Sequence, residues 1–262
     1  MKFRFHFFKK KRKSVHGTYA EDRKLILSEE TPFAVKEAYR TAYTNLLYLP
    51  IVDKCKRLVI TSAIPGEGKT TVSINLAITL AQNSTEHRVL LVDADLRKPR
   101  IARLLGERGQ VHGLSEYLAG IDGEPNIKPS AVPGLSVLYS GKNTTNPAAL
   151  LASERMEALM KYCEDKFEYI IIDTAPVNTV SDALLLKKDV NGYLLVAKAG
   201  FSDINSINEA VESMRMLEAP VCGIILDAFD PKNGKGTAYA KYKSGRYAAY
   251  NSYSDDTSIT RE

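Results

Sequence analysis

The most regular signal along the chain is a series of short apolar runs, each ending at a polar or glycine-containing break. They are Leu58-Val59-Ile60, Arg88-Val89-Leu90-Leu91-Val92, Leu135 to Leu138, Tyr169-Ile170-Ile171-Ile172, Gly192 to Ala197 and Val221 to Leu226. The length and β-branched content of the first two predict buried parallel strands, and the others read as further strands. Segments with helical spacing run between them. One starts with Thr31 as N-cap and Pro32 at the first helical position, and carries Phe33, Val35, Ala38, Ala42, Leu46 and Leu47. A second starts at Lys69 and reaches Gln82, with Val72, Ile74, Leu76, Ala77 and Leu80 as its apolar contacts. Leu114 to Leu118 predicts a short helix. Asn146-Pro147 opens an amphipathic one with Leu150, Leu151, Met156, Leu159 and Met160 on its inner face, and Ser202 to Leu217 a last one. Gly120 to Pro133 is rich in Gly, Pro and polar residues and predicts a surface excursion. Alternating strands and helices call for a mostly parallel sheet with helices on both faces, an α/β fold in three layers.

A length of 262 residues leaves room for one such domain, 31–231, between a basic, flexible segment at 1–30 and a flexible tail at 232–262. No run approaches the roughly 18 apolar residues of a membrane span, so the chain is not expected to cross a bilayer. Cys55, Cys163 and Cys222 are far apart and form no CxxC pair. They read as buried thiols in a reducing compartment, not as a disulfide frame or a metal site. The net charge of +5 matters less than its placement. Residues 1–13, MKFRFHFFKKKRK, interleave four Phe with seven Lys or Arg and lack the apolar core of a secretory signal. Two readings stand side by side: a patch that touches anionic lipid or the juxtamembrane part of a membrane protein, or a soluble tail. At the other end the apolar periodicity stops after Asp230-Pro231. Of the 14 tyrosines in the chain, Tyr239, Tyr242, Tyr247, Tyr250 and Tyr253 fall in one short window among Gly, Ser and Lys. Aromatics without apolar partners do not build a core, which leaves a docking tail or a set of exposed phosphoacceptors.

The chemistry concentrates where the predicted strands end. After Leu58-Val59-Ile60 comes Ala63-Ile64-Pro65-Gly66-Glu67-Gly68, then a helix opening at Lys69-Thr70-Thr71. A strand leaving through a glycine loop into a helix N-terminus aims backbone N–H groups and the helix dipole at one point, an anion site. Lys69 can then reach the β- and γ-phosphates of a nucleotide, and the Thr70 hydroxyl can bind Mg²⁺. The strict P-loop pattern has Gly where this chain has Ala63. The second strand ends in Asp93-Ala94-Asp95-Leu96-Arg97, at the sheet edge where α/β proteins place ligands. Two carboxylates there are costly without a cation or substrate, although Asp93 could instead cap the next helix. The fourth strand ends in Asp173-Thr174-Ala175-Pro176, the form of a Walker B carboxylate.

This constellation resembles the bacterial tyrosine kinases of capsule and exopolysaccharide synthesis, the CpsD/CapB-like proteins. The resemblance rests on Ala63 to Thr70 as Walker A, on Val92 to Arg97 as a second motif, on Ile170 to Pro176 as Walker B, and on the C-terminal tyrosines. It implies a fold related to the MinD/ParA ATPases and a protein-tyrosine kinase using ATP and Mg²⁺. Gly66, Glu67, Gly68, Lys69, Thr70 and Thr71 would cradle the phosphates, and Thr70, Asp95 and Asp173 would hold the metal. Asp93 would accept the tyrosine proton, Arg97 would steady the transferred phosphate, and the tail tyrosines would be the acceptors. Partners on this reading are a transmembrane adaptor of the polysaccharide co-polymerase type, further copies of the chain in a ring-like oligomer, and a tyrosine phosphatase, with no nucleic acid. The adaptor would hold the chain at the inner face of the membrane. Two positions depart from the pattern. Glu37 and Arg40 fit a Glu-x-x-Arg-x-x-Arg oligomerisation motif, but Tyr43 replaces its second Arg. Asp227 stands where the last strand usually offers Asn to the adenine. A ParA/MinD-type partitioning ATPase is the alternative, but its early P-loop Lys is here Ile64. An iron–sulfur carrier would want CxxC, and a non-catalytic ATP-dependent scaffold is the remaining reading.

Overall fold

A computed structural model describes residues 23–228, apart from 85, 87 and 108–111. The basic segment 1–13 and the five tail tyrosines lie outside the described residues. Within them, the strands are β1 (Lys56–Ser62), β2 (Val89–Asp93), β3 (Lys128–Pro129), β4 (Leu135–Leu138), β5 (Tyr169–Asp173), β6 (Gly192–Lys198) and β7 (Val221–Asp227). They form one sheet in the order β3-β4-β2-β5-β1-β6-β7. Every neighbouring pair is parallel except β3 with β4. The helices are α1 (Phe33–Leu47), α2 (Lys69–Asn83), α3 (Ile101–Leu105), α4 (Leu114–Leu118), α5 (Pro147–Leu151), α6 (Glu154–Glu164) and α7 (Ile204–Met216), with a 3₁₀ helix at Ser181–Asp189.

Side chains alternate across a strand, so each central strand feeds two cores. Val59, Leu90, Val92, Ile170, Ile172, Tyr193 and Leu195 face the side covered by α4 to α7 and the 3₁₀ helix. Leu58, Ile60, Val89, Leu91, Tyr169, Ile171, Leu194 and Val196 face α1, α2 and α3. This is the three-layer arrangement the apolar runs predict. Strand β1 crosses to β2 on one side of β5, while β5 crosses back over β1 to β6. The order of connection therefore reverses at β1 and β5, and their carboxyl ends bound the crevice where such sheets bind ligands.

Several expectations change. The surface excursion at 120–133 contains β3, which pairs antiparallel with β4 at Lys128↔Val137. The amphipathic helix from Pro147 is two helices, because Ser153 turns its hydroxyl to the Leu150 carbonyl (2.7 Å) and starts α6 afresh. Helix α1 starts one residue after Pro32, and Thr31 accepts from the Ser28 N–H instead of capping it. Of the apolar positions on α1 only Leu46 is buried, while Phe33, Val35 and Leu47 stay exposed. The helix touches the domain along a stripe of Tyr39, Ala42, Tyr43 and Leu46: the Tyr39 hydroxyl accepts from the Asn75 side-chain amide (3.2 Å), and Tyr43 donates to the Asn83 carbonyl at the end of α2 (2.8 Å). The position where the family pattern has Arg thus ties α1 to its own domain. Glu37 and Arg40 form a pair within α1 (2.6 Å). Cys55 and Cys163 are buried as expected, but Cys222 on the edge strand is only half-buried. No helix among the described residues is long and apolar enough to cross a membrane.

Candidate nucleotide site

The loop between β1 and α2 turns on two glycines. Gly66 and Gly68 have φ of 94° and 91°, a left-handed conformation that side chains resist. A Cβ on Gly68 would also lie 2.3 Å from Asp227 Oδ2 and make that side chain shift, whereas one on Gly66 would meet the Phe201 ring only in ordinary contact. The N-cap of α2 is Gly68, and no side chain caps the helix. The N–H groups of Lys69, Thr70 and Thr71 therefore have no intrahelical acceptor and remain for an anion. Glu67 does not face that anion. Its fully buried carboxylate accepts from the Ile64 N–H (2.8 Å) and from the Ser202 hydroxyl, bracing the loop against the turn after β6. Only the backbone of Glu67 is left for phosphate. Ile64 packs against the core instead of presenting a cation.

Three carboxylates converge beyond the loop. Asp93 and Asp173 end neighbouring parallel strands in direct register, and both are completely buried. Asp93 Oδ2 accepts from the Ile101 N–H (3.1 Å), so the helix-capping reading holds for one of its oxygens. Oδ1 has no partner among the described residues. Asp173 Oδ1 accepts from the Ser73 hydroxyl (3.0 Å), and Oδ2 is left without a partner. Asp95 meets Lys69 Nζ at 3.2 Å and accepts from the Lys98 N–H. Burial is the main reason Asp93 titrates well above the usual carboxylate range, with Asp173 and Asp95 adding repulsion. Burial also pushes Asp173 up to about 6, against the pull of Lys69. Unpartnered oxygens on two buried carboxylates beside a bare helix N-terminus suit a site completed by a cation and a polyphosphate.

The remaining predicted residues fall around this centre. Asp227, at the end of β7, lies against Gly68, and burial raises its pKa. Arg97 is held by a residue outside the loop. It forms a fork with Asp182, Nε to Oδ2 at 2.6 Å and Nη2 to Oδ1 at 2.9 Å. Tyr239, Tyr242, Tyr247, Tyr250 and Tyr253 lie outside the described residues. Sequence reasoning missed Ser73, Asp182, Ser202 and Phe201. Ser73 had a signal, being three residues from Thr70 and so on the same face of α2. Nothing local marks the other three.

A loop that offers bare helix N–H groups and a lysine to a phosphate defines a P-loop NTPase. Residues 54–245 match the ParA family, described as NUBPL iron-transfer P-loop NTPase. The chain is 33% identical over 220 residues to the tyrosine-protein kinase YwqD of Bacillus subtilis, covering 84% of this chain and 91% of that one. It is 34% identical over 222 residues to the tyrosine-protein kinase CpsD of Streptococcus agalactiae, covering 84% and 93%. The kinase domain of the Escherichia coli tyrosine kinase ETK superposes with a TM-score of 0.71 at 32% identity, covering 81% and 86%. The chain belongs to the bacterial tyrosine kinases, on the fold of the ParA-type P-loop NTPases.

Proposed function

We propose that this kinase transfers the γ-phosphate of ATP to tyrosines of its own C-terminal segment and so regulates capsular or exopolysaccharide synthesis and export. The observation that carries the reading is the facing pair Asp93 and Asp173, each buried with one oxygen unpartnered, beside Lys69. The N–H groups of residues 66–71 bind the phosphates, and Lys69 exchanges Asp95 for the β- and γ-phosphates. Thr70, Asp95 and Asp173 would hold Mg²⁺. Among the described residues no three His, Cys, Asp or Glu side chains close a cage, and Mg²⁺ needs none, since it keeps water and takes phosphate oxygens. When bound, the ion neutralises charge on the phosphates.

In the transfer, the tyrosine oxygen forms a bond to the γ-phosphorus while the bond from that phosphorus to the ADP oxygen breaks. The tyrosine proton passes to Asp93, whose Oδ1 has no partner among the described residues and whose burial makes its carboxylate more basic than usual. Acceptors are Tyr239, Tyr242, Tyr247, Tyr250 and Tyr253. Each phosphate adds about −1.5 to −2 charge, so five add roughly −8 to −10 to a tail that carries Lys232, Lys235, Lys241, Lys243 and Arg246. Like-charge repulsion then loosens contacts between copies of the chain. A membrane adaptor of the co-polymerase type holds the kinase at the inner face of the membrane, and a tyrosine phosphatase resets it. The test is incubation of the full chain with Mg–ATP, read by anti-phosphotyrosine blot and by ADP release. Phosphotyrosine on the tail is expected. ADP without phosphotyrosine means a partitioning-type ATPase, and neither product means a scaffold.

A further inference from the structure

The fork between Arg97 and Asp182 joins residues 85 positions apart, and its two members differ sharply in surroundings. The Asp182 side chain is 2% exposed and that of Arg97 40%. Asp182 is the second residue of the 3₁₀ helix, whose Ala183 and Leu186 are buried in the core. That helix is pinned to β6 by the Tyr193 hydroxyl, which donates to the Ala183 carbonyl (3.0 Å). Asp182 is therefore held rigidly. Arg97 follows β2 in the turn that carries Asp95, which in turn holds Lys69. Left alone, a half-exposed Arg would sample many rotamers. Gripped through Nε and Nη2, the guanidinium has one orientation. Its Nη1 has no hydrogen-bond partner among the described residues and remains available to an anion. A plain tie between two loops explains less. Burying a carboxylate is costly, and an apolar contact would join the two segments without that cost. The charge is retained where it fixes a cation beside the carboxylates of the site.

We propose that Asp182 is a positioning residue for phosphoryl transfer: its buried carboxylate locks the Arg97 guanidinium beside Asp95, with the free Nη1 end presented to the phosphate in transit. The inference rests on the kinase reading above. Arg97 supplies charge stabilisation at the transferring group, and Asp182 acts only through it.

The full chain is assayed with Mg–ATP for phosphotyrosine formation and, separately, for ATP binding and melting temperature. Asp182→Asn is expected to lower kcat on the order of 10²-fold, the cost of a misplaced group, with KM for ATP within about threefold. Arg97→Lys keeps the positive charge and satisfies the buried carboxylate but lacks the fork, so it preserves folding and should lower kcat to a similar degree. The double substitution should fall less than about threefold below the worse single one, because both remove the same device. Wild-type kcat in both single variants overturns the proposal, as does a double variant whose losses multiply. Asp182→Asn losing ATP binding and melting temperature together, while Arg97→Lys stays fully active, also overturns it and makes the pair a structural tie. Absence of phosphotyrosine from the unsubstituted chain would instead remove the kinase reading itself.

Discussion

The two ends of the central strands treat charge in opposite ways. At the amino end of β1, Arg57 meets Asp53 (2.9 Å) and Glu164 (3.6 Å), and Asn191 bonds both Asp53 and the Arg57 N–H. Opposite signs meet near water, and Asp53 is half exposed. At the carboxyl end, Asp93, Asp95 and Asp173 crowd a single lysine, with two of the three completely buried. Surface pairs of the first kind add little to stability. Like charges of the second kind are a standing cost to the unliganded fold, and they belong where a ligand relieves them. Proximity to a strand end is thus not what marks the site; it is marked by charge left uncompensated by the protein itself.

The sharpest way to break the contrast is to remove charges at each end and compare activity. Lys69→Met or Asp93→Asn should lower phosphotyrosine formation by at least about 10²-fold, the usual worth of a phosphate-binding or proton-accepting group. Asp53→Asn at the amino end should leave the rate within about twofold, and a comparable loss there would erase the distinction.

A pH titration asks the same question of the intact chain. The folded chain holds a proton on Asp173 up to about 6, whereas the ordinary value is 3.8. Between those values the folded state binds more protons than the unfolded one. The contribution of this group to unliganded stability is full below about 4 and is lost as pH rises through 6. Mg–ATP should therefore raise the melting temperature more at pH 7.5 than at pH 5, and kcat should fall on the acid side of about pH 6. Equal ligand-induced shifts at the two pH values would count against an uncompensated carboxylate.

Charge removal should also separate stability from activity. Asp173→Asn is expected to raise the unliganded melting temperature by about 2–4 °C, equivalent to about 1 kcal/mol, while abolishing stabilisation by Mg–ATP. Asp53→Asn should lower unfolding stability by less than about 1 kcal/mol. The smallest effect is expected at Arg40→Ala, which breaks a pair on the exposed face of α1 and should cost only a few tenths of a kcal/mol by chemical denaturation.

How much of this was readable in the sequence follows from how local each feature is. The P-loop, Asp93, Asp95 and Asp173 lie at strand ends, and a buried parallel strand is marked by its own apolar run, so these residues could be found one segment at a time. The layers followed for the same reason. Asp182 could not be found that way, because its partner Arg97 is 85 residues distant and only the closed sheet brings them together. The Glu67–Ser202 brace spans 135 residues and was invisible for the same reason. Glu67 itself was assigned to phosphate by its place in the loop, and only its buried contacts reveal that its side chain shapes the loop instead. Helix α1 was legible as a helix. How little of its apolar face meets the domain was not, since the pattern records which residues are apolar but not what covers them.

The contact between Asp227 and Gly68 has a consequence for how acceptors are supplied. The last strand ends against the phosphate loop, so everything after residue 228 is rooted within a few ångströms of the nucleotide site. If the segment from Pro231 to Tyr247 behaves as an unstructured linker of about 16 residues, its typical reach is roughly 20–24 Å. Tyrosines tethered over that distance experience the site at an effective concentration on the order of millimolar, however dilute the protein. On the proposed reading a free peptide would have to be supplied at comparable concentration to compete, and the chain's own tyrosines would have first claim on the phosphate by position before any sequence preference acts.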